Sequence, residues 1–475
     1  MTDRRRLLHE TADLAADFLE SLPDRPVGVP QDVASLRRTL GGDLPDGPQD
    51  PSTVIANLAR DADPGIVASA GPRYFGFVIG GGVPAALSAD WLASAWDQNG
   101  FAYVMSPAGS VVEETAARWL LDLWGLPAEA SVGFVTGVTM ANFTALAAAR
   151  HAVLERAGWN AETQGYVGAP EITVVTGAEA HSTVSASLQM LFLGRDRVIR
   201  VPADGQGRMD AVALGATLEG LDGPTIVCAQ AGNVNTGAFD PFEPIVEAVG
   251  RRPNAWLHVD GAFGLWAGAS ASLRHLVAGI DGADSWATDG HKWLNVPYDS
   301  GIVAVRDPAA HTAAVALGAA YLIAATAGER DGGNWVPDSS RRARGFAIYA
   351  ALASLGRSGV EDLVDRCCRL AGRMADALRG SEGVTVLNDV VLNQVLVRYS
   401  PGPGASDAEI DEFTRAVIAA VQRDGTCWLG GTTWHGMAAM RISVSNWMTT
   451  EPDIDVSAEA ILRCRAAVAA ERVPA

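Results

Sequence analysis

The sequence predicts an α/β protein: a mostly parallel, mixed sheet in a large domain, a smaller α+β C-terminal domain and an N-terminal helical segment. Three observations predict it. From Gly133 onward short apolar runs alternate with helical segments, the pattern of strand–crossover–strand units. The runs Glu171–Thr176, Thr225–Ala229, Ala255–Val259 and Ser300–Val305 are nearly continuously apolar, as strands covered on both faces are. At 475 residues the chain exceeds the usual size of one core, so a large domain is joined by a smaller one. The divisions expected are 1–83, 84–358 and 359–475.

Taken in order, residues 1–30 carry Leu7, Leu8, Ala12, Ala15, Phe18 and Leu19 near helical spacing, and Pro23 ends the helix. Residues 40–52 are rich in Gly, Pro and Asp and read as a loop before a helix at Ser52–Asp61. This N-terminal piece is too thin to bury a core alone, so it packs on another subunit or on the main domain. Gly80-Gly-Gly82 is a breaker. Helices follow at Ala85–Gln98 and Ser110–Leu123, then the strand and turn Gly133–Gly137 and the helix Met140–Ala157. The remaining large-domain helices are Ser182–Leu193 and Pro244–Val249, with a long helix from Arg341 to about Leu355. The smaller domain reads as helices Glu361–Leu378, Asp407–Arg423 and one from Asp455, with strands near 384–387, 394–399, 426–429 and 438–444.

Composition narrows the function classes. The net charge of −19 argues against a nucleic-acid partner, which favours a basic face. Five scattered cysteines without a C-x-x-C pair exclude a disulfide framework and make a zinc site unexpected. Arg4-Arg5-Arg6 is followed by Leu7 and Leu8, but Glu10, Asp13 and Asp17 interrupt the apolar run, so a signal peptide is not expected. The uncharged stretch Thr312–Gly328 is mostly Ala and Gly and short of a bilayer span. A cytoplasmic, non-membrane protein is expected. No Walker loop, G-x-S-x-G or H-E-x-x-H occurs.

Lys292 is the single lysine of the chain; every other one of its 36 basic residues is arginine. Arginine supplies positive charge but is no nucleophile at neutral pH, whereas a primary amine forms a Schiff base with a carbonyl. Lys292 stands behind His291 after a strand-like run, in Ser285-Trp-Ala-Thr-Asp-Gly-His-Lys292. Ligands in parallel sheets sit beyond the carboxyl ends of the strands, and three further polar features fall there. Thr136-Gly-Val-Thr-Met-Ala-Asn142 is a glycine turn opening a helix, where free N–H groups, the helix dipole and the Thr139 hydroxyl suit an anion, although Thr is also an ordinary N-cap. His181 is either a core histidine or a ring that stacks on a flat cofactor. Asp260 follows an apolar strand and needs a cationic partner, either an arginine or a protonated pyridine nitrogen. An anion cradle, a stacking ring, a buried acid and a lone amine together match pyridoxal 5'-phosphate, or PLP.

At these residues the chain resembles the group II pyridoxal-phosphate-dependent amino-acid decarboxylases, which act on aromatic amino acids, glutamate and relatives. The resemblance is carried by His258-Val-Asp260, Ala283-Asp-Ser285 and His291-Lys-Trp293, with weaker matches at Pro72-Arg-Tyr-Phe75, Ser106-Pro107 and Met440-Arg-Ile442. It implies the PLP-dependent transferase fold of type I. It implies that Lys292 carries the Schiff base, that Asp260 keeps the ring nitrogen protonated, and that His181 stacks on the ring. Val138 and Thr139 would contact the phosphate with His291 nearby, Asn235 would lie beside the cofactor and Ala262 beneath it. The substrate amine would displace Lys292, carbon dioxide would leave, and a lid tyrosine would return the proton to Cα. Counting without gaps from Lys292 places that tyrosine at Tyr321, within the small-residue stretch Thr312–Gly328. Tyrosine there favours amine formation; phenylalanine would suggest an aldehyde-forming relative.

Tyr74, Phe75, Asn99, Phe101 and Arg441 match segments that line the family's substrate pocket, with 99–101 contributed by a partner subunit; a homodimer with shared sites follows. Arg441 could equally be structural. Two departures bear on the substrate: Met140 replaces a commoner acidic residue, and Gly261-Ala-Phe-Gly-Leu-Trp266 is bulkier than usual. The expected reaction is decarboxylation of an L-amino acid, aromatic or apolar by preference. The alternatives are an aldehyde-forming or aminotransferase relative on the same fold, and a non-catalytic scaffold. The scaffold predicts loss of Lys292 or Asp260, and both are present.

Overall fold

The computed structural model describes residues 3–28, 32–317 and 328–472. The chain divides into two compact units, one made of residues 1–79, 370–387 and 395–475, the other of 80–369 and 388–394. The three consecutive segments expected from the sequence cut the chain differently, because the N-terminal stretch counts with the C-terminal one. In the first unit α1 (Arg4–Ser21), α2 (Val33–Leu40) and α3 (Pro51–Ala62) each begin at an aspartate whose carboxylate accepts first-turn amides: Asp3, Asp32 and Asp50. Such caps satisfy otherwise orphaned donors. None of the three helices buries a residue, and Leu8, Val33, Leu40 and Leu58 are exposed.

The second unit opens with α4 (Pro84–Trp96) and α5 (Pro107–Trp124). Its sheet contains β1 (Ser131–Val135), β2 (Thr173–Gly177), β3 (Ile199–Val201), β4 (Thr225–Gln230), β5 (Ala255–Asp260), β6 (Ser285–Asp289) and β7 (Gly301–Val305). The strand order is β1-β7-β6-β5-β4-β2-β3. Only β7 runs against its neighbours, β1 and β6; the other pairs are parallel. The carboxyl ends of β1 through β6 therefore point one way, towards Thr136, Ala178, Ala231, Asp260 and Asp289. The helix α6 (Val138–Arg156) buries a run of alanines from Ala145 to Ala152 in the core against this sheet. Small side chains there allow close approach at little entropic cost. The first residue of β7 has to be glycine, because a Cβ on Gly301 would lie 2.5 Å from the backbone of Gly137.

The first unit is completed by β8 (Val384–Val386), β9 (Gln394–Tyr399), β10 (Gly430–Trp434) and β11 (Met437–Ser443), in the order β10-β11-β9-β8. The strand expected at 426–429 is instead a single bridge from Trp428 to Tyr74. The reason is the 70–79 segment, which takes its hydrogen bonds: the Phe75 amide donates to Trp428 at 2.7 Å and the Trp428 amide to Arg73 at 3.1 Å. Tyr74 stacks on Trp428 with centroids 5.0 Å apart. A Cβ on Gly76 would collide with the same indole at 2.2 Å. Among the described residues no helix is long and apolar enough to cross a membrane.

In the second unit Arg341 is fully buried in an ion pair with Glu113, with one contact at 3.1 Å, and also donates to the carbonyls of Gly100 (2.6 Å) and Phe134 (3.2 Å). It therefore ties the 99–101 loop to β1 and α5. Removing one member of a buried pair strands the other charge, so Glu113→Gln should cost about 3–5 kcal/mol. The urea midpoint measures this, and an unshifted midpoint would contradict it.

Candidate active site

The geometry starts at the end of β6. Gly290, His291 and Lys292 leave the strand, and the main chain at Lys292 is held from two sides. The Asn295 amide group donates to the carbonyls of Trp293 (2.9 Å) and Lys292 (3.4 Å). Gly80 packs so closely that a Cβ there would sit 2.2 Å from the Lys292 carbonyl oxygen. The glycine run at 80–82, a simple breaker in the sequence, is thus a contact surface for the reactive segment. Lys292 Nζ lies 3.4 Å from Asp289 Oδ2 and 5.8 Å from the centre of the Phe263 ring. His291 Nδ1 is 3.0 Å from the Ser300 carbonyl, which can only accept, so this nitrogen carries a proton. Burial holds His291 below the usual imidazole range, and Lys292 pushes the same way against Asp289 and Asp299.

Asp289 links this segment to α6. Its Oδ1 accepts the Val138 amide at 2.6 Å. A charge-assisted bond at a helix N-terminus is among the stronger ones. The next residue, Thr139, offers its amide and hydroxyl without an acceptor among the described residues, while its carbonyl accepts from Ser187 at 3.1 Å. One turn further, on the same helical face, Asn142 donates to Asp260 Oδ2 at 3.1 Å.

Asp260, at the end of β5, accepts two further donors: the Thr183 hydroxyl at 3.3 Å and the Ala262 amide at 3.2 Å. His181 caps the helix Ser182–Met190, with Nδ1 2.8 Å from the Thr183 hydroxyl oxygen. Ala262 joins the two acids, since its amide reaches Asp260 and its carbonyl accepts the Asp289 amide at 3.0 Å. Lys292, His291, Asp260, Ala262, His181 and Val138 are therefore connected through Asp289, Asn142 and Thr183. Of the bulky residues after Asp260, Trp266 is buried and its indole donates to the Asp289 carbonyl at 3.2 Å.

Other expected site residues sit elsewhere. Asn235 lies in the buried turn after β4, where its amide donates to Asn233 Oδ1 at 2.8 Å. Asn233 organises that turn, also accepting the Thr236 amide at 3.2 Å. Asn99 accepts the Phe101 amide at 3.0 Å and the Arg341 amide at 3.3 Å. Tyr74, Phe75 and Arg441 belong to the first unit, where the Phe75 carbonyl accepts the Ser443 amide at 3.0 Å and burial pushes the Tyr74 phenol up to about 12. Tyr321 lies outside the described residues.

Asn142, Thr183, His258, Ser285 and Asp289 were given no role from the sequence. Two periodicities could have exposed them: i, i+4 spacing joins Val138 to Asn142, and strand alternation places Trp256, His258 and Asp260 on one face of β5. The donor set fits PLP. It offers an amine for an aldehyde, a carboxylate for a ring nitrogen and an imidazole for a ring face. The unmatched Thr139 donors at a helix N-terminus suit a phosphate. Thr183→Val, which keeps the shape, should lower stability by about 1–3 kcal/mol by leaving Asp260 a donor short. Thermal unfolding should show the loss and Thr183→Ser should recover most of it; equal melting of both variants would refute the contact.

The sequence profile of the pyridoxal-dependent decarboxylase conserved domain matches residues 34–400. An aromatic-L-amino-acid decarboxylase of Bacillus atrophaeus is 27% identical over 95% of this chain and 93% of its own. An L-2,4-diaminobutyrate decarboxylase of Rhizobium meliloti is 33% identical over 78% of this chain and 72% of its own. The fold is that of the crystal structure of Oryza sativa TDC with PLP and tryptamine, with a TM-score of 0.91, 24% identity and 98% of each chain covered. The chain thus belongs to the pyridoxal-dependent decarboxylases and is a carboxy-lyase that uses pyridoxal 5'-phosphate on an amino acid.

Proposed function

We propose that the substrate is an aromatic or apolar L-amino acid, that the products are its amine and carbon dioxide, and that Lys292 is the anchoring amine. The observation that supports this most is the single lysine beside Asp289, in one hydrogen-bonded assembly with Asp260. When bound, PLP supplies the electron sink that makes loss of the α-carboxylate accessible. The chain's own residues then have separate tasks. Lys292 would hold the cofactor through its side-chain amine. Asp260 would keep a proton on the ring nitrogen, and three donors fix its carboxylate for that. His181 would cover the ring, Val138 and Thr139 would bind phosphate with His291 beside them, and Asn235 would border the cofactor. Ala262 has the small side chain that a ring resting on it requires. Tyr321 is the candidate for proton return to Cα.

The preference for aromatic substrates draws on the name of the Bacillus atrophaeus relative. The diaminobutyrate enzyme of Rhizobium meliloti makes a cationic substrate the competing outcome. An aldehyde-forming reaction is the second reading, and a tyrosine at 321 speaks against it. A homodimer sharing its sites through Asn99 and Phe101 is supported by the unburied apolar positions of α1, α2 and α3. The buried thiols Cys228, Cys367, Cys427 and Cys464, none of them in a disulfide, suit the reducing cytoplasm.

Incubating the PLP-loaded enzyme with aromatic, apolar, acidic and diamino L-amino acids, and following carbon dioxide, amine, aldehyde and keto acid, tests the reaction. Amine and carbon dioxide should form in equal amounts from an aromatic or apolar substrate, and Lys292→Ala should abolish both. Keto acid without carbon dioxide, or aldehyde with peroxide, would overturn the reading. Tyr321→Phe should divert product from amine towards aldehyde. Light scattering should give twice the chain mass, and Leu8→Asp with Leu58→Asp should reduce it to one chain; a monomeric wild type would refute the shared site.

A further inference from the structure

Beneath Asp260 lies a chain of polar side chains that the reaction described above does not use. Strand alternation puts Trp256, His258 and Asp260 on one face of β5, and the register of β5 on β6 sets Ser285 opposite His258. Trp256 Nε1 is 2.9 Å from Ser285 Oγ, which is 3.0 Å from His258 Nδ1. His258 Nε2 is 2.9 Å from Asn142 Oδ1, and Asn142 Nδ2 is 3.1 Å from Asp260 Oδ2. Asn142, His258 and Ser285 are fully buried, so each unpaired group would carry its full desolvation cost.

The two ends determine every proton between them. An indole N–H only donates and a carboxylate only accepts. Asn142 must therefore turn its amino group to Asp260 and its oxygen to His258, which puts the ring proton on Nε2. Burial pushes His258 down to about 4, against the opposing pull of Asp260, so the ring is neutral and Nδ1 is bare. Ser285 accepts from Trp256 and donates to that nitrogen. With the opposite tautomer His258 Nε2 would face the Asn142 oxygen with no proton between them.

We infer that Trp256, Ser285, His258 and Asn142 form a one-way relay of donors ending on Asp260, and that they are positioning residues for the cofactor's ring. The inference rests on the reading that Asp260 meets the ring nitrogen. The relay holds the Asp260 carboxylate in one rotamer and makes it a terminal acceptor, so that no neighbour in the relay competes for the proton it shares with the ring. A role in packing alone would require only the shapes of these side chains. The relay also requires the order of their protons.

Histidine ¹⁵N NMR of the full PLP-loaded protein reads that order directly. One of the eight histidines, identified by its loss in His258→Phe, should remain neutral with its proton on Nε2 from about pH 5.5 to 9, well above the lowered titration of a buried imidazole. Ser285→Ala and Trp256→Phe should weaken PLP affinity and lower kcat by about tenfold each with KM unchanged, the size typical of losing an outer partner of a bound group. A proton on Nδ1, a charged His258, or both variants within twofold of wild type in PLP affinity would overturn the relay. Asp260→Asn separates the two failures. If it weakens PLP binding and the outer variants do not, the relay alone falls. If it leaves binding unchanged, the Asp260 reading falls and the relay with it.

Discussion

The carboxylate of Asp289 is the junction on which the site depends. One oxygen accepts the first amide of α6, and the other faces the Lys292 ammonium. The same residue's amide is bonded to Ala262, and its carbonyl accepts the Trp266 indole. A buried acid is tolerable when all its acceptor sites are used and a cation lies close. Asp289 has the Val138 amide on one oxygen and Lys292 Nζ 3.4 Å from the other, and in this way it links the reactive amine to the helix N-terminus. It also brings negative charge close to where phosphate is proposed to bind. His291, Lys292 and the helix dipole are the groups that offset that charge.

The helix α6 carries this arrangement to the second acid. Val138 and Asn142 are one turn apart, so a single helical face contacts Asp289 and Asp260 together. The alanine-rich flank of the same helix lets it lie close to the sheet, and a bulkier flank would lift both contacts. Glycine does similar work where backbones approach. Gly301 lies against Gly137, and Gly80 lies against the Lys292 carbonyl. Precision at the amine therefore comes largely from main chain and small residues, which have few alternative conformations.

Much of the fold was legible in the sequence because the strands are apolar on both faces and their spacing is that of helical crossovers. What failed to show was settled by competition between segments. Residues 426–429 have the pattern of a strand, yet the 70–79 segment takes their hydrogen bonds. The three residues of β3 are too few to give a period. Asn233 and Asn235 are alike in type and two residues apart, and only the turn itself shows that Asn233 supplies the acceptor. Arg341, the start of a helix by pattern, instead lies before the helix that begins at Gly345 and is occupied by Glu113 and two carbonyls.

By itself the sequence determined the chemistry on offer: one amine, an acid at the end of an apolar strand, an imidazole and a glycine turn opening a helix. Residue type decides these, because only lysine combines a nucleophilic nitrogen with a chain long enough to leave the backbone. The sequence also determined that they lie at one edge of the sheet, since parallel strands share a carboxyl end. The tertiary structure alone decided the partners. Asn142, Thr183, His258 and Ser285 come from different elements, and nothing local sets which of their atoms meet. That follows from the register of β5 on β6 and the seat of α6 on the sheet, both of them products of packing across the whole core.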